Sequence, residues 1–400
     1  MKAEGRKTNG EWKTVALDEV ATIERSAIQP KSIAQGTAYL GLEHIESGGK
    51  ILGAKPVDEG ELASSKFKFT ASHVLYGKLR PYLAKIACPD FTGICSTDIL
   101  PILPGPDLER RFLCYFLRQP SMVDYANSRA AGANLPRLSP TALAGFEIPL
   151  PPLAEQRRIA EVLDRAEALR AKRRAALAQL DSLTQSLFLD LFGDPASQGW
   201  AMTDIAGVVN AADGSIRTGP FGSQLLHSEF TDEGIAVLGI DNAVANEFRW
   251  SERRFISEAK YRQLKRYTVR PGDVLITIMG TCGRCAVVPD DIPPAINTKH
   301  LCCITLDPAK CLPIFLHAYF LRHPIALKYL NQTAKGAIMS GLNMGLIKGM
   351  PVPLPPIPLQ REFARRVTAV EALKTAQRAS LAELDALFAT LQHRAFRGEL

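Results

Sequence analysis

Long apolar runs are missing from this chain: no stretch approaches the roughly 18 residues that a bilayer-crossing helix needs, so membrane insertion is not expected. No apolar N-terminal segment resembles a signal peptide, and the eight cysteines lack the spacing of a disulfide framework. Reduced thiols and a cytoplasmic location are the expectation. Catalytic signatures are missing too. There is no Asn- or Asp-Pro-Pro-Tyr/Phe motif, no Gly-x-Gly loop of the kind that holds S-adenosylmethionine, and no Walker A sequence. The Pro-Pro pairs at Pro151, Pro293 and Pro355 lack the flanking residues such motifs need. Glu258-Ala259-Lys260 could be half of a nuclease Glu-x-Lys motif, but the nearest Pro-Asp pair, Pro289-Asp290, lies on the wrong side of it. The histidines form no cluster with metal spacing.

What is present is an ordinary globular composition, with 400 residues, 46% hydrophobic and 22% charged, enough for two or more cores. A formal charge of +7 favours a polyanionic partner, because clustered Lys and Arg are held near phosphates by charge and counterion release.

One stretch occurs twice. Ile148-Pro149-Leu150-Pro151-Pro152-Leu153-Ala154-Glu155-Gln156-Arg157-Arg158-Ile159 opens one long helix, and Val352-Pro353-Leu354-Pro355-Pro356-Ile357-Pro358-Leu359-Gln360-Arg361-Glu362-Phe363 opens another. Tyr115 and Tyr319, Gly132 and Gly336, and Pro149 and Pro353 all stand 204 residues apart, which marks an internal duplication.

Residues 1–11 are polar and expected to fray. A first globular half then starts at Trp12. Its runs 39–45 and 74–83 read as strands of a mainly antiparallel sheet, and 108–117 as a helix stopped before Pro120. From Leu153 the apolar period changes to heptads: Ile159, Val162, Ala166, Leu169, Arg173, Ala176, Leu180, Leu183, Leu187. Gly193-Asp194-Pro195 ends that helix. The second half restarts at Trp200 and carries the glycine-punctuated loop 217–223, a turn at Pro271-Gly272-Asp273, a strand over 274–278 and a helix over 316–321. Its own heptads are Phe363, Val370, Leu373, Gln377, Leu384, Leu387 and Leu391. Arg173 and Gln377 interrupt the two seams 204 residues apart, as a register-setting pair in an antiparallel coil would. The alternative is that each helix packs on its own domain as a surface element. The fold class is therefore α+β, two globular domains joined by two long helices in an antiparallel coiled coil with an internal pseudo-two-fold repeat. The expected segments are 1–148, 149–195, 196–352 and 353–400.

The order of these motifs, repeated in both halves, resembles the specificity subunit of type I DNA restriction-modification systems. The Pro-Leu-Pro-Pro-Leu-x-Glu-Gln-Arg-Arg lead-in, the Leu-Phe-Gly-Asp-Pro exit at Leu191 to Pro195, and the Ala395-Phe396-Arg397-Gly398-Glu399-Leu400 terminus carry the likeness. So do Leu75-Tyr76-Gly77-Lys78-Leu79-Arg80-Pro81-Tyr82, Gly219-Pro220-Phe221-Gly222-Ser223 and Pro271-Gly272-Asp273-Val274-Leu275. Two departures stand out: Ala71-Ser72-His73 takes the place of a Pro-Gly-Asp turn, and Leu359 stands where the first copy has Glu155.

The resemblance implies a non-catalytic reader of double-stranded DNA. Each half would be a target-recognition domain for one part of a bipartite, asymmetric site, and the helices would set the spacing and dock two methyltransferase subunits. Restriction subunits would complete the complex, with S-adenosylmethionine, ATP and Mg bound on the partners and no cofactor in this chain. The other reading is a stand-alone DNA-binding or scaffolding protein derived from that architecture. Basic residues near glycine turns are the DNA-contact candidates: Lys78, Arg80 and Lys85, with Arg217, Arg284 and Lys299 in the second half. Ser223 joins them, as do the adenine-reading candidates Asn134, Asn297 and Asn343. Glu155, Gln156, Arg157, Gln360 and Arg361 are the docking candidates. Cys282-x2-Cys285 with Cys302-Cys303 invites a zinc reading, but adjacent cysteines make an awkward second pair, and core packing is expected.

Overall fold

The computed structural model describes residues 12–58, 60–334 and 342–400; the segment 1–11 and the Gly336 landmark lie outside the described residues. The chain forms two compact units, Met1–Ala175 with Arg378–Leu400, and Ala176–Gln377. Each unit takes one globular half together with part of each long helix, Leu153–Phe192 and Ile357–Ala395.

In both units the start of the globular half is zipped to its end. Strand Lys13–Ala16 pairs antiparallel with Glu147–Leu150, and Met202–Asp204 pairs with Pro351–Pro353, just before the Pro-Pro lead-in to a long helix. A four-stranded sheet follows in each. Its order is Ala21–Ile23, Ile99–Pro104, Val74–Gly77, Ile86–Ala87 in the first unit and Ile216–Thr218, Leu301–Ile304, Val274–Thr277, Cys285–Val287 in the second. Each unit also has a five-stranded sheet built around one parallel pair: Ala38–Leu40 beside Gly93–Cys95, and Ile235–Leu238 beside Ala295–Asn297. The expected antiparallel character therefore holds except at these two pairs. The fifth strand is added at opposite edges, Ala27–Ile28 beyond Lys66–Phe69 and Phe230–Thr231 beyond Phe255–Ile256.

Both strands read over 39–45 and 74–83 are shorter than expected. The first stops at Gly41, whose N–H is taken by His44 Nδ1 at 3.0 Å and which opens a tight turn. The second stops at Gly77, and Arg80 and Ala84 then adopt left-handed φ of 51° and 47° on either side of Pro81.

The expected helix over 108–117 is Arg110–Leu117, started by the Glu109 carboxylate accepting from Phe112 N at 2.6 Å. Its counterpart, Pro313–Arg322, begins earlier than expected because Pro313 suits the first helical turn. These helices cover the sheets and meet the long helices in the cores. Phe112, Leu113 and Leu117 pack with Ile159 and Leu163 in the first unit. In the second, Phe192 lies 4.9 Å from Phe315 and Phe188 lies 5.6 Å from Phe363, ring centre to ring centre.

The strict heptad seam is corrected by this packing. Ile159, Ala166, Phe363 and Val370 are buried, but Leu169, Leu183, Leu373 and Leu387 are 44–54% exposed, while Leu163, Phe188 and Phe192 are buried outside the expected positions. The helices bury a wider face because they serve the globular core as well as each other. Within each unit the helix segments run antiparallel, pinned by an ion pair that the seam reading missed. Arg170 Nε donates to Asp385 Oδ1 at 2.6 Å in the first unit, and Lys374 Nζ to Asp181 Oδ1 at 2.8 Å in the second. Arg170 and Lys374, like Asp181 and Asp385, are 204 residues apart, so one bond is the repeat of the other.

Candidate nucleic-acid interface

At the foot of each long helix stands a glutamine. Gln156 is fully buried; its Oε1 accepts from Glu109 N at 2.8 Å, and its Nε2 donates to Asp107 O and Pro151 O at 2.9 and 2.8 Å. Gln360 repeats this, accepting from Leu312 N at 2.8 Å and donating to Lys310 O and Pro355 O at 3.1 and 2.9 Å. Both were docking candidates, and both are corrected: with no exposed surface they are locks between the helix foot and the globular half. Arg157 and Arg361 are exposed, and Glu155 pairs with Arg158 at 2.6 Å, which holds its carboxyl below the usual range.

The DNA-contact candidates separate by exposure. In the first unit Arg80 is exposed, in a left-handed backbone conformation that costs on the order of 1–3 kcal/mol for a residue with a side chain. A tertiary bond holds it there, Arg80 N donating to Pro136 O at 2.7 Å. The same strand end is bridged by Leu138 N to Lys78 O, so residues 78–84 and 131–138 form one platform. It presents Arg80, Tyr82 and Leu135, the last two half exposed, with Asn134 also at the surface. Arg137 Nε donates to Asp98 Oδ1 at 3.1 Å, and Lys78 Nζ stands 4.0 Å from the same atom. Tyr82 and Leu135 were missed because nothing in their sequence context shows that a tertiary bridge lifts them outward. Lys85 Nζ is committed to Leu42 O at 2.6 Å and contributes structure to the platform's edge.

In the second unit Arg284 and Ser223 are exposed, on a hairpin tip and on the turn Gly222–Gln224, and Lys299 lines a surface cavity. Arg217 is corrected. It is buried and donates from Nη2 to Asp273 Oδ2 at 2.5 Å and to Thr268 O at 2.6 Å, and from Nη1 to Thr305 Oγ1 at 2.9 Å. This is a core ion pair behind the turn at Gly272, whose φ of +77° needs glycine. The first unit has the reversed version: His73 Nε2 bonds Glu24 Oε2 at 3.0 Å, and His73 Nδ1 accepts from Thr70 N as Asp273 Oδ2 accepts from Arg270 N. The odd Ala-Ser-His turn thus spans the matching positions with a histidine–glutamate hydrogen bond where the second unit has an arginine–aspartate ion pair.

Two of the asparagine candidates give part of their amides to the fold. Asn343 Oδ1 caps the helix Met344–Lys348 through Leu346 N at 2.9 Å, and Asn297 is fully buried, donating to Leu301 O at 3.0 Å. Cys285, Cys302 and Cys303 are core residues as expected, and burial pushes the Cys302 thiol up to about 12. No group of three His, Cys, Asp or Glu among the described residues is placed to hold a metal ion. Among them, too, no helix is long and apolar enough to cross a membrane.

Two matched α+β units, each with the foot of a long helix locked to its globular half by a buried glutamine and each presenting exposed basic loops, define a duplicated protein with one candidate binding surface per unit. The family model described as the type I restriction modification DNA specificity domain matches residues 9–179 and 228–385, and the chain belongs to that family. It is similar to the EcoDI specificity subunit of Escherichia coli, 30% identical over 194 residues, which is 47% of this chain and 43% of that protein. The EcoBI specificity subunit of the same organism is 28% identical over 320 residues, 73% of this chain and 66% of that one. The matches therefore span from under half to about two thirds of these relatives' lengths. Among solved structures, a chain from work on the complex assembly and conformational transition of the type I R-M system is 24% identical with a TM-score of 0.60, covering 99% of this chain and all of that one. The type I S subunit from M. genitalium is 15% identical with a TM-score of 0.59, covering 99% and 98%. These two likenesses speak for the fold.

Proposed function

We propose that this chain is the DNA-recognition subunit of a type I restriction-modification complex. Residues 1–148 and 196–352 act as target-recognition domains, each reading one half of a bipartite, asymmetric duplex site. The segments 149–195 and 353–400 set the spacing and dock two methyltransferase subunits; restriction subunits then join. The observation that carries this reading is the repeat of a whole mechanical unit in a member of the specificity-domain family: a reader, a glutamine lock and half of an ion-paired helix couple. Two weak readers held at fixed separation gain affinity through effective concentration, and the rod selects the gap between half-sites. Arg80 and Arg284 are the first choices for DNA contact, with Lys78, Ser223 and Lys299 beside them. Arg157, Arg361 and Glu155 remain docking candidates, and Arg173 with Gln377 the central register pair. In this reading the chain performs no chemistry itself, works in the cytoplasm, and leaves S-adenosylmethionine, ATP and Mg to its partners.

The test is domain exchange. Replacing residues 1–148 with the matching half of another specificity subunit, followed by methylome sequencing of the host, should change one half of the methylated motif and leave the other intact. Loss of both halves together would sink the idea of independent readers. Failure to co-purify with an S-adenosylmethionine-binding subunit would favour the stand-alone DNA-binding or scaffolding protein instead.

A further inference from the structure

The second unit carries a cavity of about 370 Å³ beside the Pro220-Phe221-Gly222 turn, lined by Asp241, Arg254, Thr298, Lys299 and His300 with an apolar flank of Leu225, Phe230 and Ile240. Among the described residues, four side-chain polar atoms are buried without a hydrogen-bond partner: Asp241 Oδ2, Arg254 Nε, Asn297 Oδ1 and Thr298 Oγ1. Three belong to the lining of this one cavity, and the fourth to Asn297, fully buried and next in the chain to Thr298. Buried polar groups are almost always paired, so a cluster of unpaired ones is a demand for an outside partner.

The demand does not come from the scaffold, because the first unit builds the same place without it. Gly239 N donates to Asn242 Oδ1 as Gly41 N donates to His44 Nδ1, closing the same turn. Thr298 N bonds Leu238 O as Ser96 N bonds Leu40 O, and Leu301 N bonds Thr298 O as Ile99 N bonds Ser96 O. In these matched positions Asp241 replaces Glu43, Asn297 replaces Cys95, Thr298 replaces Ser96 and His300 replaces Asp98. None of the first-unit residues has a buried unpaired side-chain atom. The backbones agree and the chemistry differs, as it would where two units read different halves of an asymmetric site.

Within the lining, Arg254 Nη2 donates to Asp241 Oδ1, which leaves one acceptor, Asp241 Oδ2, and two donors, Arg254 Nε and Thr298 Oγ1, without partners. A phosphate, which has acceptors alone, would satisfy the donors and leave Asp241 Oδ2 without a partner. An amino-bearing nucleobase edge, such as that of adenine or cytosine, offers N–H and ring-nitrogen or carbonyl acceptors side by side. The apolar flank suits its flat faces, and a concave site takes a base only when the base leaves the stack. Resting on the DNA-recognition reading above, we infer that this cavity is a specificity pocket that accepts one unstacked, amino-bearing base of the half-site read by the second unit.

The test uses the full chain with its co-purifying methyltransferase subunits and a duplex carrying the methylome-defined motif, with a set of single abasic substitutions across both half-sites. Three variants are compared: Asp241→Asn, Thr298→Val and the cavity-filling Leu225→Trp. The expected result is that one position of the second half-site loses about ten-fold or more of its discrimination in all three variants. Discrimination across the first half-site stays unchanged and reports intact folding. Free adenosine and cytidine, followed by thermal shift, distinguish capture of a loose nucleoside from capture of a base in DNA; a shift without any abasic effect overturns the proposal. Variants that discriminate as the parent does overturn it as well and mean that water alone meets the unpaired atoms, leaving DNA recognition standing. Absence of specific duplex binding by the parent overturns the recognition reading and the pocket with it.

Discussion

Replacing Arg217 by methionine keeps an unbranched apolar stem but removes the guanidinium, and leaves the Asp273 carboxylate inside the second unit without its cation. The side chains of Asp273 and Arg217 are 0% and 8% exposed, so solvent cannot take over. Asp273 would keep its bonds from Arg270 N and Thr305 Oγ1, but the charge they orient would be uncompensated. Breaking a buried pair from one side costs about 3–5 kcal/mol. At about 2–4 °C per kcal/mol for a unit of this size, the midpoint of thermal unfolding should fall by on the order of 10 °C. Differential scanning calorimetry of the full chain reads this directly. The double variant Arg217→Met with Asp273→Leu removes both charges and should recover most of the loss, because a buried pair is worth little against apolar residues of similar size. A midpoint within about 1 °C of the parent for Arg217→Met, together with weaker DNA binding, would refute the assignment of Arg217 to the core and restore it to the DNA surface.

Other consequences follow from the same bonds. Gln156→Ala and Gln360→Ala each strand a buried N–H and two carbonyls, and should each lose about 1–3 kcal/mol and become more sensitive to limited proteolysis near the Pro-Pro lead-in; unchanged cleavage would contradict the locking role. Exchanging charges across the helix pair, with Arg170→Asp and Asp385→Arg together, should leave stability closer to the parent than either single change does, as a double-mutant cycle would show; additive losses would mean that the two do not interact. The Glu362 carboxyl, held by Arg365 and Arg366, is lowered from 4.5 to about 2. Its contribution is present above the unfolded pKa and is lost as pH falls through about 2, so its NMR titration should show that midpoint and return towards 4.5 in Arg365→Ala with Arg366→Ala. Arg80→Ala and Arg284→Ala should weaken duplex binding, each reducing the slope of log affinity against log salt by about 1 if the contact is to phosphate, and relaxing one base position if it is to a base.

Much of the architecture was legible in the chain because duplication writes itself in linear spacing. The Pro-Leu-Pro-Pro lead-ins, the Tyr-Phe-Leu-Arg helices and the long leucine-rich segments recur at one offset, and each recurrence became a matched element. The seam was only partly legible. A heptad count assigns Leu169 and Leu373 to the interface, but it cannot see that the helices also face a globular core, which turns Leu163 and Phe188 inward and leaves those leucines half exposed. The Arg170 and Asp385 pair was available in the spacing as two basic and two acidic positions 204 apart, though only as charge on a presumed surface.

The candidate interface divides along the same line. Sequence by itself determined the family, the repeat and which loops are rich in glycine and cations, since these depend on residue identity and order alone. Only the tertiary structure decided which cations face out. Arg80 and Arg217 look alike in the chain, each beside a turn, yet one is lifted outward by a bond to Pro136 O and the other is pulled inward by Asp273, 56 residues away. The same is true of Gln156 and of the four unpaired atoms near Asp241. Exposure and pairing depend on which distant segments the fold brings within a few ångströms, and local sequence carries no record of that distance.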